Sequence, residues 1–281
     1  MNITFRSIAV AAVAVMSLAA CGSVSEPAAQ GAAAVKAVVA PPAVIKGGEI
    51  VYCSDISAPP LEFYDKARKP QGADVEIGNA IARKLGVSPV WRNTKFASIV
   101  PTLVARQCDA ILSQLYIKPE REKVVDFVPY MYSGQSILVP KGNPKKVGGL
   151  DESLCGLTVS TLISTTAATR IDGQSKKCEA AGRPAIKMNR FDQDIAALQE
   201  LALGRSEAYA TTSETAAYYI GQQPGTFEFA GGAFDKVKAG IAVRKGNTGL
   251  RDAISKAFDE IRSEGAYDQI LTKWNLQVDK L

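Results

Sequence analysis

The chain contains no histidine. That absence excludes Ser-His-Asp and Cys-His nucleophilic machinery, histidine-ligated zinc and imidazole acid–base chemistry. No Cys-x-x-Cys spacing marks a metal site, and no motif implies a cofactor. The apolar run at residues 8–20 is too short for a stable membrane-spanning helix. Charge of one sign is never blocked together: 33 Lys and Arg are interleaved with 28 Asp and Glu, for a net charge of +5. With aromatics at only 7% and no basic aromatic stripe, the pattern is that of a solvated surface, and nucleic acid is not an expected partner.

What is present begins with an export signal. Arg6 precedes the apolar run, which ends in Leu18-Ala19-Ala20-Cys21. This tetrapeptide resembles the lipobox of bacterial lipoproteins. It implies that residues 1–20 are a signal peptide, that Cys21 is lipidated, and that the membrane is reached through that anchor alone. The alternative is an ordinary signal peptide cut after Ala20, with Cys21 incidental. From Cys21 to Gly47 the chain is rich in Gly, Ala, Val and Pro, which reads as a flexible tether over residues 21–47. Either reading places the protein outside the cytoplasm, on the periplasmic or cell-surface side.

From residue 48 strand-like and helix-like segments alternate. Strands are expected at 49–54, 90–92 and 110–112, and helices at 74–85, with Gly86 as its stop, and at 98–106. The pattern then repeats, with strands at 157–162, 185–189 and 207–211 and helices from 165 and over 194–202. Two further helices, 250–263 and 267–274, are separated at Gly265. This order implies two α/β lobes, each a mostly parallel sheet flanked by helices. Besides Cys21 the chain has Cys53, Cys108, Cys155 and Cys178, an even number in an exported chain. Cys155 is expected to pair with Cys178. Cys53 with Cys108 is the remaining pair, although their stagger along neighbouring strands threatens to hold the Cα atoms beyond the bridging limit of about 7 Å.

Residues 108–134, CDAILSQLYIKPEREKVVDFVPYMYSG, hold the most information. A short buried strand leads through Ser113, Gln114 and Tyr116 to a helix opened by Pro119. Arg121 falls in its first turn, where a cation opposes the helix dipole by roughly 0.3–1 kcal/mol. An anion between Arg121 and the strand end would offset that penalty; a surface ion pair with Glu120 or Glu122 is the alternative.

The spacing of Asp109, Ile111, Ser113, Ile117, Pro119, Glu120, Arg121, Val125, Asp126, Phe127, Pro129 and Tyr130 resembles the signature of the extracellular solute-binding proteins of family 3, the amino-acid receptors of ABC importers. Lys118 stands where that family usually has a capping Thr. The resemblance implies a two-lobed type II periplasmic-binding-protein fold. Lobe 1 would comprise residues 48–134 plus 238–281 and lobe 2 residues 135–237, with two crossover strands near 132–136 and 232–240 as the hinge. Two sequential domains joined near 142–149 are the alternative.

It further implies that a ligand carboxylate is held by Arg121, Ser113 and Thr166, with N–H groups of the helix beginning at Thr165. Asp55 and Phe96 occupy positions that meet the ligand side chain, and Gln114, Tyr116 and Thr212 lie at strand ends where ligands of such sheets bind. The chain departs from the family at Ala58, at Tyr116 and above all at Thr212, where an acid usually meets the ligand's ammonium; Glu214 is the nearest acid, two residues later. The implied function is capture of an amino acid or related small carboxylate for an ABC permease in the cytoplasmic membrane. A cyclohexadienyl-dehydratase-like enzyme and a receptor for a sensor are the alternatives on the same fold.

Overall fold

Ile50 and Tyr52 point to one side of the first strand and Val51 and Cys53 to the other, and both sides are covered. A strand buried on both faces belongs inside a sheet flanked by helices. The computed structural model describes residues 38–281. The first lobe begins with β1 (Glu49–Ser54), a small hairpin of β2 (Phe63–Tyr64) and β3 (Pro70–Gln71), and α1 (Ala73–Lys84). β4 (Ser88–Asn93), α2 (Ile99–Val104), β5 (Ala110–Ile111), α3 (Pro119–Glu122) and the long β6 (Val125–Pro140) follow. The second lobe contains β7 (Thr158–Leu162), α4 (Thr166–Ala180), β8 (Lys187–Phe191), α5 (Asp194–Ala202), β9 (Ala208–Thr212) and α6 (Ser213–Gln222). The long β10 (Phe227–Arg244) returns to the first lobe, which α7 (Thr248–Ser263) and α8 (Ala266–Lys273) complete.

One eight-stranded sheet runs through both lobes in the order β4-β1-β5-β10-β6-β9-β7-β8. β1 is parallel to β4 and β5, and β7 is parallel to β8 and β9. Among the described residues only β6 and β10 reach from one lobe to the other, paired antiparallel. Their ladder is irregular midway: Ile137 faces Ala230, Gln135 faces Phe234 and Ser133 faces Val237, so β10 carries extra residues there. Gly231 sits in this irregular stretch at φ 69°, and a Cβ on it would lie 2.2 Å from the carbonyl oxygen of Gly148, so only glycine fits.

The apolar core is divided in the same place. In the first lobe, Ile77, Ile81, Ile254, Phe258 and Tyr267 cover one sheet face, and Ile99, Leu103 and Leu115 the other. In the second, Ile137, Val159 and Ile171 lie on one face, and Leu138, Leu198 and Tyr209 on the other. β6 feeds all four clusters, yet each cluster draws on it from one side of Ser133–Gln135 only.

Several expectations are corrected. The tether does not extend to residue 47: Val39 and Val44 are buried in the first-lobe core, and the Ile45 N–H donates to Asp109 Oδ1 at 2.7 Å. Composition alone had hidden this, because two valines among alanines and prolines suffice to dock a short segment. α3 is a single turn, so a helix dipole contributes little at Arg121. The β2–β3 hairpin and α6 were not anticipated. The signal peptide at 1–20 and Cys21 lie outside the described residues. Among the described residues no helix is long and apolar enough to cross a membrane.

Cys155 bonds to Cys178 and Cys53 to Cys108, with Cα separations of 5.6 and 5.8 Å. The strand register sets Cys53 opposite Ile111, three positions past Cys108. The stagger is nevertheless bridged because Cys108 precedes β5, where the chain turns after Arg106 (φ 59°) and brings the Asp109 N–H onto the Val51 carbonyl at 2.8 Å. In the chain-entropy description the longer loop stabilises by about 4 kcal/mol and the shorter by about 3 kcal/mol. Urea denaturation of the Cys53→Ala/Cys108→Ala and Cys155→Ala/Cys178→Ala proteins is expected to show losses of that size, and thiol labelling of the unreduced, denatured chain is expected to leave all four cysteines unmodified.

Candidate functional site

The carboxyl ends of β1 and β5 face those of β7 and β9 across a cleft of about 550 Å³ between the lobes. Asp55, Phe96, Ser113, Gln114, Tyr116, Arg121, Thr165, Thr166 and Thr212 all line it. Glu214 does not. The cleft therefore collects nine of the ten ligand-binding positions expected from sequence, together with Glu62 and Asp194, which sequence reading missed.

On the first-lobe side, Asp55 just follows β1 and is almost fully buried. Its Oδ1 accepts from the Ser57 hydroxyl at 2.7 Å and its Oδ2 from the Phe96 N–H at 3.0 Å. Burial raises its pKa, the two donors act in the opposite direction, and Asp192 adds to the rise. Ser113 Oγ accepts from the Asp55 N–H at 3.0 Å and donates to Glu62 Oε1 at 2.7 Å, so its hydroxyl is already engaged by the protein. Glu62 is buried beside Asp74, and burial followed by that neighbouring carboxyl pushes its pKa well up. Asp74, held lower by donors from Tyr130 and the Gln114 N–H, is pushed up to about 6. Glu62 Oε2 and Asp74 Oδ1 have no other partner, so one proton carried by Glu62 and shared with Asp74 accounts for both atoms.

Gln114 holds the left-handed φ of 47°, fixed by its N–H bonds to Asp74 and Tyr130. Tyr116 bonds through its hydroxyl to Ser133 at 2.7 Å and to Gln135, which fixes the crossover strand against the cleft wall. Arg121 donates Nη1 to the Tyr116 carbonyl at 2.9 Å and lies 5.8 Å from the Phe96 ring centre. Burial lowers its pKa, and it takes part in none of the ion pairs among the described residues, with Glu120 and Glu122 included. A half-buried guanidinium with donors to spare is suited to a carboxylate.

On the second-lobe side, two hydroxyls serve as helix caps. Thr165 Oγ1 accepts from the Ala168 N–H at 3.1 Å and caps α4, whose unpaired first turn opens into the cleft through Thr166 and Ala167. Thr212 Oγ1 accepts from the Thr215 N–H at 3.3 Å and caps α6. Asp194 opens α5; its N–H donates to Ser57 Oγ at 3.2 Å across the cleft and its Oδ1 accepts from Thr211 at 3.3 Å. Lys95 and Asp192, paired at 2.6 Å, form a second tie between the lobes.

Glu214 is carried by the first turn of α6 away from the cleft and into the crossover. There it accepts from Gln114 Nε2 and Ser133 Oγ, each at 3.0 Å, and from the Gly134 N–H at 3.3 Å. It had been expected near the ligand because it is close in sequence to the end of β9; the immediate start of α6 at Ser213 turns it aside. Burial, with Asp279 adding to it, pushes Glu214 up to about 7 from the ordinary 4.5, against the opposing effect of its own backbone N–H, Ser133 and the Gly134 N–H. A carboxyl with a raised folded-state pKa stabilises the fold at low pH, and that stabilisation is lost as pH rises from the unfolded value through the folded one. Between about pH 4.5 and 7 the wild type is therefore expected to lose up to about 3 kcal/mol more stability than Glu214→Gln. Urea denaturation at several pH values checks this; parallel pH profiles would contradict it.

The bacterial extracellular solute-binding proteins, family 3, match residues 50–277 of this chain. The L-cystine-binding protein TcyJ of Escherichia coli strain K12 is 27% identical over 220 residues, covering 77% of this chain and 78% of that protein. The L-arginine-binding protein of Pseudomonas aeruginosa is 29% identical over 224 residues, covering 77% of this chain and 83% of its own length. The structure of an ancestral arginine-binding protein bound to arginine superposes with a TM-score of 0.74 at 35% identity, covering 81% of this chain and 98% of that one. With the signature, the two-lobed sheet and the interlobe cleft in place, this chain belongs to the bacterial extracellular solute-binding proteins of family 3.

Proposed function

We propose that this protein captures an amino acid with a cationic side chain and delivers it to an ABC permease in the cytoplasmic membrane. Lobe 1, residues 48–134 plus 238–281, and lobe 2, residues 135–237, close upon the ligand. Cys21 carries a lipid anchor on the outer side of that membrane or at the cell surface, with a tether that ends before Val39. The observation that carries the ligand class is the charge balance of the cleft: Arg121 is the one cation among the described residues lining it, against the carboxyls of Asp55, Glu62 and Asp194. With Glu62 protonated, two acids are left to face one guanidinium. A ligand with one carboxylate and two cationic groups neutralises all three, and unpaired buried charge is unfavourable. The arginine named for two of the relatives fits this description, whereas cystine, named for another, carries a second carboxylate and does not.

Arg121 grips the α-carboxylate, with the first turn of α4 supplying N–H donors from the other lobe. Asp55, which accepts from Ser57 and the Phe96 N–H, faces the cationic end of the side chain, and the Phe96 ring flanks it. The dehydratase alternative loses Glu214 as a general acid near the carboxylate; steady turnover of prephenate by the purified protein would favour that alternative.

A thermal-shift panel of the L-amino acids, L-ornithine and L-cystine is expected to single out arginine, lysine or ornithine. Stabilisation only by neutral or acidic members would overturn the cationic assignment. Arg121→Ala is expected to weaken binding of the selected amino acid by about 30- to 4,000-fold in calorimetry while leaving the unliganded fold intact. Unchanged affinity would move the carboxylate elsewhere.

A further inference from the structure

We propose that in this chain the ligand's α-ammonium is met by Asp194, at the start of α5, and not by a residue at the end of β9. The inference rests on the amino-acid reading given above.

The end of β9 offers no charge. Thr212 is neutral, and its hydroxyl is occupied by Thr215, from whose N–H it accepts while lying 3.1 Å from Thr215 Oγ1. Glu214 is spent on the crossover strand, where three donors converge on it. Three carboxyls therefore remain on the cleft wall. Glu62 is engaged by Ser113 on one oxygen and shares a proton with Asp74 on the other. Asp55 has a donor on each oxygen.

Asp194 differs from both. Its side chain is 4% exposed and lines the cleft, and its Oδ2 has no hydrogen-bond partner. A buried carboxylate oxygen without a donor is unfavourable, and an ammonium placed in the cleft would relieve it. Burial, then nearby Asp55, pushes the group up to about 7, while the Tyr209 and Thr211 hydroxyls act the other way; a bound cation would restore the ionised form. The Tyr209 hydroxyl is near enough to lower the group but makes no hydrogen bond of normal geometry, so Oδ2 is left open to a stronger donor from the cleft.

The placement also couples recognition to closure. Arg121 belongs to the first lobe and Asp194 to the second, and the Asp194 N–H is bonded to Ser57 of the opposite lobe. Loss of the α-amino group then removes one of the contacts by which the second lobe holds the ligand and leaves it only the α4 N–H groups on the carboxylate.

The test compares L-arginine with 5-guanidinopentanoate, the same molecule without its α-amino group, by calorimetry on the wild type and on Asp194→Asn. The wild type is expected to prefer L-arginine by about 30-fold or more, and Asp194→Asn to lose that preference through weaker binding of L-arginine alone. Unchanged L-arginine affinity in Asp194→Asn would overturn this assignment and leave the amino-acid reading standing. Equal loss of both compounds would show that Asp194 shapes the cleft without meeting the ammonium. The wild-type comparison needs no variant: equal affinity for the two compounds would also overturn the assignment. Where the wild type binds neither, the pair is L-lysine with 6-aminohexanoate or L-ornithine with 5-aminopentanoate; binding of none of these would sink the cationic reading itself, and this inference with it.

Discussion

The antiparallel pairing of β6 with β10 is the constraint on which the rest of the molecule depends. Among the described residues these are the only strands shared by the two lobes, and the three other strands of each lobe's part of the large sheet are lined up outward from one of them. Their regular outer stretches hold each lobe's sheet, while the middle of β6, Ser133–Gln135, contributes to none of the four apolar clusters and the facing Phe234 and Val237 are half-buried at cluster rims. Relative movement of the lobes thus bends a region held by polar contacts and leaves four packed cores undisturbed. Interiors pack too densely to deform continuously, so a joint free of core is where movement is least opposed.

The polar contacts at that joint form a connected set. Glu214, Gln114, Ser133, Tyr116 and Gln135 link the second lobe, the crossover strand and the cleft wall. Gln114 then connects through its backbone to the Asp74, Tyr130 and Glu62 group beneath the cleft. Buried acids on both sides of the ligand space leave the protein with more carboxyl than cationic charge there. Such an arrangement is tolerated because protonation relieves part of it, and it is converted to attraction when a cation enters.

Much of this was legible in the sequence. The signature from Asp109 to Tyr130 carried the family, and helical spacing located α1, α5 and α7 within a residue or two. The Cys155–Cys178 pair followed from cysteine number and proximity. What sequence did not reveal has physical causes. β2 and β3, two residues each, are too short to produce a period. β10 lacks clean alternation because it changes lobe midway and is exposed around the crossover. Of the two acids expected there, Asp55 lines the cleft and Glu214 does not: nearness along the chain favoured Glu214, whereas Asp194, which also lines the cleft, comes from a different element and arrives only when α5 is docked against β9. Val39 and Val44 show the same limit, since a docked segment and a tether can share one composition.

The path of the chain through the joint has a consequence for how such proteins diversify. The backbone leaves the first lobe on β6 and comes back on β10, two neighbours in one sheet, and so separated by about 5 Å. The second lobe is thus an inserted cassette whose two ends lie side by side, closed over its own packed clusters. Cassettes of this kind can be exchanged between scaffolds without a long linker to bridge the gap. A lineage can then recombine one wall of the cleft against another, keeping the grip on one end of a ligand while replacing the surface that selects the other.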